Sequence, residues 1–441
     1  MVFVVSAMIY GVATAVRMVL LLNAPMLVEW LQSQREFSTP LTSWKRVTEG
    51  VALMKADVSP YTGDLLHESP LILRFLSYFL RVWPGLLNAL FIATDLLIAL
   101  LLDQMTMRYF GKFILQHQKK NCKEYNPNSA SLLLTASNLR WKRLYVLVCY
   151  LFNPYVIGTC LSKSTAVFNN LALVMAFYFT LKGSRFGACL SVAAASHISL
   201  YPVVLIVPAS MHIAREEVGG NSFKSAAYMM SVAKSMILFV AFTVFLLWIC
   251  FMLEGSSLFI YSTYGFIFNV PDLAPNVGIF WYFFTEMFDH FRLFFICVFQ
   301  IHAFIYTIPL SIRLRDHTIF LMYILLAITS IFKSYPSYGD AALYLALLPL
   351  WSHVLQYTRN LFIAACMLVV CTVMAPVLWY LWIYSGSANA NFYFAITLAY
   401  TTAQVFLVTD VLFGYLRREF HLKHGIKPTT KDGKLAKILL N

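Results

Sequence analysis

Hydrophobic side chains follow one another along this chain in long runs, which shorter polar segments separate. The first run occupies residues 1–22, about the length that an α-helix needs to cross the hydrocarbon core of a bilayer. Further runs of this kind lie at 84–103, 143–160, 165–182, 186–197, 198–213, 232–252, 291–311, 317–332, 341–356, 360–383 and 392–415. The pattern predicts an all-α polytopic membrane protein with about twelve transmembrane helices, in one multi-spanning domain over residues 1–441.

The composition agrees with this pattern. Of the 441 residues, 60% are apolar and 12% are charged, whereas about 25% are charged in a typical soluble domain. The eight cysteines include no C-x-x-C pair, and all but Cys122 lie in apolar runs, which favours buried thiols over zinc ligation or a disulfide framework. Soluble enzymes, disordered scaffolds and disulfide-stapled secreted domains are therefore excluded, and no metal or cofactor is expected.

The basic residues predict which loops face the cytoplasm. The net charge of +13 would suggest nucleic acid in a soluble protein, but in a membrane protein Lys and Arg are the residues that cytoplasmic loops retain. They concentrate in the segment 104–142, in every second loop after it and in the tail 416–441, and none lies between Lys234 and Arg292. We therefore expect both termini in the cytoplasm, no nucleic-acid partner, and 23–83, 253–290, 334–340 and 385–391 on the luminal or extracellular side.

The first long loop, 23–83, carries two motifs. Lys45 and Arg46 follow Trp44, and such a group suits the phosphate of a lipid headgroup or, alternatively, a plain anchor at the membrane surface. Ser59, Pro60 and Tyr61 form a second motif, in which proline fixes the backbone of a shaped loop.

The loop 253–290 is rich in aromatic residues and predicts an interfacial helix around 280–284. Phe280, Trp281 and Phe284 would lie on it, and Glu286, Asp289 and His290 follow at spacings that place them on one helical face. Acid–base or metal chemistry needs such a cluster, but no H-E-x-x-H spacing accompanies His290. The alternative is a polar edge on an aromatic helix at the membrane surface.

Two short turns offer groups that recognise sugar hydroxyls. Both contain small polar residues and glycine, and 334–340 also contains tyrosine; these residues supply tight backbone geometry together with donors and acceptors. The candidate residues are Tyr335, Tyr338, Asp340, Ser385, Asn389 and Asn391. Ordinary turns of the same composition remain the alternative.

Asp95 lies inside the second predicted span, where a charge costs about 2.5–3.5 kcal/mol on insertion scales, so we expect it to face protein. The other polar candidates within spans are Asn169, Asn170, Gln300, His302 and Gln404. Without a relay of acids across several helices, interhelical hydrogen bonds are the expected role, and a transporter is the weaker alternative.

Several motifs, in order along nearly the whole chain, carry a family resemblance. They are SWKRV (43–47), VSPY (58–61), HESPL (67–71), NPY (153–155), KST (163–165), VPDL (270–273), GIFWYFF (278–284), IFKSYP (331–336), SGSAN (385–389) and LRRE (416–419). With these motifs the chain resembles the subunit U family of the glycosylphosphatidylinositol (GPI) transamidase, and the segment 104–142 matches least.

The resemblance implies membership of a complex in the endoplasmic reticulum that attaches GPI to precursor proteins. In that complex a separate caspase-like cysteine protease subunit performs the chemistry. Subunit U is then a non-catalytic partner that helps recognise the GPI lipid, the C-terminal signal of the precursor, or both, among the membrane phospholipids. The family also resembles the GPI mannosyltransferases in its multi-spanning architecture and Ser-Pro-Tyr loop.

That second likeness raises the alternative of a luminal glycosyltransferase, which would need a D-x-D type pair of acids in the first luminal loop. The acids of 23–83 are Glu29, Glu36, Glu49, Asp57, Asp64 and Glu68, and no two are separated by a single residue. We therefore expect a binding subunit rather than an enzyme. Its spans would form a cleft for acyl chains, with Asn389, Asn391, Tyr335, Tyr338 and the helix around 280–284 bordering the headgroup.

Overall fold

The computed structural model describes residues 2–114, 118, 125–219 and 225–426, and the regular elements within these ranges are helices. The α-helices are α1 (Val2–Asn23), α2 (Pro25–Ser33), α3 (Trp44–Lys55), α4 (Pro70–Val82), α5 (Leu87–Arg108), α6 (Ala136–Leu151), α7 (Pro154–Leu161), α8 (Ala166–Lys182), α9 (Arg185–Ser199), α10 (Ile206–Val218), α11 (Ala226–Glu254), α12 (Leu258–Ile260), α13 (Phe266–Asn269), α14 (Phe280–Glu286), α15 (Arg292–His302), α16 (Thr307–Arg313), α17 (Thr318–Phe332), α18 (Tyr338–Leu347), α19 (Leu361–Ile383) and α20 (Ala390–His424). Short 3₁₀ or π turns connect several of them.

Among the described residues, six helical stretches are long and apolar enough to cross a membrane. They are Val4–Asn23, Pro84–Gly111, Ala226–Glu254, Asp289–Arg313, Leu361–Ile383 and Ala390–His424. The pair Trp141–Leu151 and Pro154–Leu161, bent by 43°, makes a seventh if it is one span. The prediction of an all-α polytopic membrane protein is confirmed, but the count of twelve spans is not.

The difference arises because several apolar runs form short helices inside the bundle. Helix α17 has 15 residues and is therefore about 22 Å long, whereas the hydrocarbon core of a bilayer is about 30 Å thick. Its residues from Thr318 to Ile331 are buried by other helices. Helices α9 and α18 have 15 and 10 residues. Hydropathy therefore marks both membrane-facing helices and the protein interior, and it does not separate them.

The bend between α6 and α7 has a local cause. Pro154 begins α7 and cannot donate a backbone hydrogen bond to α6, while the side chain of Asn153 caps α7 by accepting from the backbone N–H of Tyr155. The chain therefore changes direction at 152–153 without leaving the bundle.

A buried ion pair joins α1 to the second predicted span. Arg17 Nε lies 3.0 Å from Asp95 Oδ2, and Arg17 also donates to the backbone carbonyls of Ala13 and Leu151. Asp95 is 1% exposed, which confirms that it faces protein. Removing one member would strand a buried charge, so the pair fixes α1 against α5 and α6.

Hydrogen bonds account for most of the other polar residues in predicted spans. Asn170 donates to the carbonyl of Gly339, Gln300 bonds Tyr201 and Ser334, and Gln404 accepts from Tyr344. This confirms the interhelical role for these three residues. Some parts of the predicted cytoplasmic segments lie outside the described residues. They are the basic residues Lys119, Lys120, Lys123 and Lys224, together with Cys122 and the tail from 427 onward.

Candidate functional site

The four segments expected on the luminal or extracellular side contact one another at one end of the bundle. Arg46 Nη2 lies 2.8 Å from Asp272 Oδ2, which joins 23–83 to 253–290. Tyr338 N–H donates to the carbonyl of Glu36, and Tyr335 OH donates to the carbonyl of Asp272. The fourth segment, 385–391, contacts α14 through the hydrogen bond from Tyr282 to Asn391. We call this end of the bundle the loop face and define it by 23–83, 253–290, 334–340 and 385–391.

Helix α14 packs its aromatic side chains against the start of α20 and the end of α19. The ring of Tyr282 stacks on Phe394 with centroids 4.0 Å apart, and its hydroxyl donates to Asn391 Oδ1. Trp281 lies against Trp382 and Tyr393, with ring centroids 6.2 and 6.0 Å away. We call this cluster the aromatic rim; its members are Trp281, Tyr282, Trp379, Trp382, Asn389, Asn391, Tyr393 and Phe394.

The turn 385–391 places two amides at the edge of the aromatic rim. Gly386 has a φ of +64°, which an L-residue rarely adopts, and this allows the tight reversal between α19 and α20. Asn389 caps α20 by accepting from the N–H of Asn391, 3.1 Å away. Both amide oxygens are thus used inside the protein, which leaves the NH₂ groups of these exposed residues to donate to a ligand.

The other candidate residues of the loop face divide by exposure. Ser385 and His290 are exposed, like the two asparagines. The remaining candidates are buried, with relative exposures of 6% or less: Phe280, Trp281, Phe284, Tyr335, Tyr338 and Asp340. The buried ones support the surface from beneath; Asp340, for example, lies 2.7 Å from Lys333 and caps α18. Lipid contact by any of these residues stays a prediction.

The expectation that Glu286, Asp289 and His290 share one helical face is wrong. Helix α14 ends at Glu286, because Met287 is extended with a ψ of 153°, and Asp289–Phe291 form a separate 3₁₀ turn. The three side chains are exposed, and among the described residues no group of three His, Cys, Asp or Glu side chains is arranged to hold a metal ion.

The two motifs of the first long loop have different environments. Trp44 is 8% exposed and packs edge-on to Phe91, while Lys45 is exposed. Arg46 pairs with Asp272, so Lys45 is the free cation of the motif among the described contacts. In the second motif Ser59 is exposed, Pro60 is buried and Tyr61 OH donates to the carbonyl of Glu68. The Ser-Pro-Tyr motif therefore shapes the loop.

Two buried acids of this loop were not recognisable as special from the sequence. The Glu36 carboxylate accepts from Tyr393 OH at 3.0 Å, and burial raises the pKa of Glu36. Burial also raises the pKa of Glu68 to about 7, although Thr165 and the Ser69 N–H donate to it. Only the fold reveals them, because an isolated Glu in a loop carries no burial signal.

Neighbouring His67 is neutral at physiological pH. Burial lowers its pKa to about 4, its ring stacks on Phe266, and Nδ1 is 2.8 Å from the carbonyl oxygen of Ser262. Its stacked ring packs the loop against 253–290, and a neutral imidazole gives the loop face no cation.

The sequence matches a known family model and several named relatives. The model of the family described as GPI transamidase subunit PIG-U matches residues 11–400. The chain is 43% identical over 431 residues to the GPI-anchor transamidase component PIGU of Homo sapiens, covering 97% of this chain and 98% of that protein. It is 43% identical to the component PIGU of Mus musculus (98% and 99% covered) and 27% identical to the GPI transamidase component GAB1 of Saccharomyces cerevisiae (90% and 91% covered). The chain therefore belongs to the GPI transamidase subunit PIG-U family.

Proposed function

We propose that this chain is a non-catalytic subunit of the GPI transamidase in the endoplasmic reticulum membrane, where its aromatic rim recognises the GPI lipid. The observation that carries the proposal is the hydrogen bond between Tyr282 and Asn391, which sets two exposed amides beside stacked rings. The names of the relatives, all transamidase components, support this role over that of a mannosyltransferase.

The chemistry of the aromatic rim suits a glycolipid headgroup. Aromatic faces pack against the apolar faces of sugar rings, while amide NH₂ groups donate to hydroxyls. Exposed Lys45 is available for a headgroup phosphate on the same loop face. Below the turn, α19 exposes Val369, Val373 and Val377, which suit acyl chains or the apolar C-terminal signal of a precursor.

Support for a non-catalytic role comes from the acids of the first long loop. Glu36 is 2% exposed and its carboxylate is engaged by Tyr393. Glu68 is 4% exposed and accepts hydrogen bonds from Ser69 and Thr165. Neither forms a D-x-D type pair, which argues against sugar transfer by this chain. The family resemblance assigns the transamidation chemistry to a separate caspase-like cysteine protease subunit.

The proposed orientation places the loop face in the lumen and both termini in the cytoplasm. The opposite end carries Lys142, Arg215, Arg359 and Arg418, as cytoplasmic ends do. The loop face would then meet the protease subunit, the precursor and the headgroup in one compartment.

Deleting the chain from cells tests the function. A recognition subunit leaves complete GPI unused, so free GPI should accumulate while precursors keep their C-terminal signals. Accumulation of truncated GPI intermediates would contradict the proposal and favour a mannosyltransferase.

Point variants test the site. Asn389→Ala and Asn391→Ala should each lower GPI attachment severalfold without reducing assembly of the complex, since both side chains are exposed. Asn128→Ala removes an exposed amide near Leu422, at the opposite end, and serves as the control. Unchanged GPI attachment in both rim variants would show that Asn389 and Asn391 are not part of the lipid-binding site.

A further inference from the structure

A second polar site adjoins the loop face through Glu68 and Asp340 and is separate from the aromatic rim. It consists of two small adjoining cavities, each with room for about one water-sized group. Both are bordered by Asn169, Ser199, Lys333 and Asp340, and the larger also by Glu68. We call these cavities, with Glu68, Thr165, Asn169, Asn170, Ser199, Lys333 and Asp340, the polar chamber.

Two buried amide oxygens face this space without a protein partner. They are Asn169 Oδ1 and Asn170 Oδ1, on side chains that are 5% and 4% exposed. The Nδ2 of Asn170 donates to the carbonyl of Gly339 at 2.9 Å, which fixes its Oδ1 as an acceptor. A buried acceptor without a donor is costly, so the polar chamber calls for a hydrogen-bond donor.

The charged groups of the polar chamber also favour a hydrogen-bond donor. Lys333 and Asp340 neutralise each other at 2.7 Å, and the other oxygen of Asp340 accepts from the N–H and the hydroxyl of Ser337. Glu68 is left without a cation partner, and its two oxygens accept from neutral donors, Ser69 and Thr165. The balance therefore disfavours an anion, and the ionised form of Glu68 is the one charge in the polar chamber that a cation could neutralise.

The backbone beside the polar chamber is strained in two places. Lys163 and Leu200 have φ values of +54° and +60°, in the region where side-chain-bearing residues are rare. Each lies within two residues of a chamber residue, Thr165 or Ser199. Strain of this kind persists where the fold holds polar groups in a required position.

We propose that the polar chamber binds a primary ammonium group, presented by an ethanolamine headgroup or by an aminosugar. A primary ammonium has donors only, so it can bond Asn169 Oδ1 and Asn170 Oδ1 in one cavity, while the Glu68 carboxylate borders the adjoining cavity. It is also about as small as a water molecule, whereas a quaternary ammonium is larger and has no N–H to donate. This inference does not rest on the proposed role of the aromatic rim.

The test uses the intact complex in nanodiscs that contain equal amounts of phosphatidylethanolamine and phosphatidylcholine with identical acyl chains. Native mass spectrometry of the released complex should show phosphatidylethanolamine retained about tenfold over phosphatidylcholine. Glu68→Gln, which keeps the shape but not the charge, and Asn169→Leu, which removes the acceptor, should each cut that preference about fivefold or more.

Thr180→Val is the matched control. It removes another buried, unpartnered oxygen from the same helix, α8, but away from the polar chamber, and it should leave the lipid preference unchanged. Assembly and melting temperature are measured for every variant, so that a loss of binding in a folded complex is separated from unfolding. The rim variants Asn389→Ala and Asn391→Ala should also keep the preference.

A second pair of lipids distinguishes the sources of the amine. Preferential retention of glucosaminyl-phosphatidylinositol over its N-acetylated form, abolished by Glu68→Gln, would assign the polar chamber to an aminosugar. Equal retention within both lipid pairs would overturn the proposal and leave a chamber that holds water only. Preferential retention of phosphatidic acid, strengthened by Glu68→Gln, would overturn it in favour of an anion site.

Discussion

The aromatic rim belongs to the loop face and the polar chamber adjoins it, and the two sites offer ligands opposite kinds of environment. The aromatic rim presents two exposed amides, Asn389 and Asn391, beside stacked rings that are buried or partly buried. The polar chamber presents carboxyl, amide and ammonium groups that are almost fully buried. Exposed amides tolerate substitution because water can replace a lost hydrogen-bond partner, whereas each buried polar group must be satisfied within the protein.

Glu36 connects the two sites. Its backbone carbonyl accepts from Tyr338, two residues before Asp340 of the polar chamber, and its carboxylate accepts from Tyr393 of the aromatic rim. The comparison predicts that substitutions in the polar chamber lower stability more than those in the aromatic rim, and that rim substitutions act mainly on attachment.

The largest effect is expected for Lys333→Met. This change leaves Asp340 charged and buried without its cation, which costs about 3–5 kcal/mol in comparable pairs. Melting of the purified complex should show a strong loss of stability or no assembly. The double variant Lys333→Met with Asp340→Asn should recover part of the lost stability. An unchanged melting temperature in the single variant would show that the pair does not stabilise the protein.

A smaller effect, visible in its pH dependence, is expected for Glu68→Gln. Burial raises the pKa of Glu68 from 4.5 to about 7, so the folded state binds this proton more tightly than the unfolded state. The wild-type free energy of unfolding should therefore fall by about 3 kcal/mol more than that of Glu68→Gln as the pH rises from 4.5 to 7. Melting curves at pH 5 and pH 8 measure this difference.

The control for that measurement is Asp64→Asn, which removes an exposed carboxylate from the same loop. It should keep the wild-type difference between the two pH values. If Glu68→Gln keeps it as well, Glu68 does not titrate in this range.

In the aromatic rim, Tyr282 allows stacking and hydrogen bonding to be separated. Tyr282→Phe keeps the ring on Phe394 and loses the bond to Asn391, while Tyr282→Ala loses both. GPI attachment should fall roughly fivefold in the alanine variant and at most about twofold in the phenylalanine variant. Equal loss in both would mean that the hydroxyl alone matters, and the melting temperature should change little in either.

The smallest effect is expected for Arg46→Gln. Arg46 and Asp272 are each about one-quarter exposed, and such pairs contribute at most about 1 kcal/mol. The melting temperature should fall slightly at low salt and hardly at all at high salt, because salt screens the pair. A large, salt-independent loss would show that the Arg46 pair is as critical as that of Lys333.

The sequence was sufficient where an apolar run has clear polar borders. The predicted span 360–383 matches α19, because Arg359 and Asn360 precede it and the turn at Ser385 follows. The predicted span 341–356 does not match, because α18 ends at Leu347 and the apolar run continues into a buried turn around Trp351. Buried core and membrane-facing residues have the same hydropathy, which explains the overestimate of spans.

The aromatic rim and the polar chamber also differ in how far the sequence predicts them. The asparagines and aromatic residues of the aromatic rim stand out in the sequence, although the contact between Tyr282 and Asn391 spans 109 positions and only the fold reveals it. The polar chamber could not be predicted, since Glu68, Asn169 and Lys333 come from separate segments and each alone is an ordinary polar residue. Asn169 stood out in the sequence only as a polar residue within a predicted span, and Asp340 only as a member of the turn 334–340.

The central claim is that the GPI lipid binds at the aromatic rim, and site-specific photocrosslinking tests it most directly. A photoreactive amino acid is placed at Phe392, which is 56% exposed beside Asn391, or at Trp141, which is 54% exposed at the opposite end. After irradiation of the assembled complex with bound GPI, crosslinked lipid should appear from position 392 and be near background from position 141. Equal crosslinking from both positions, or crosslinking from position 141 alone, would contradict the account.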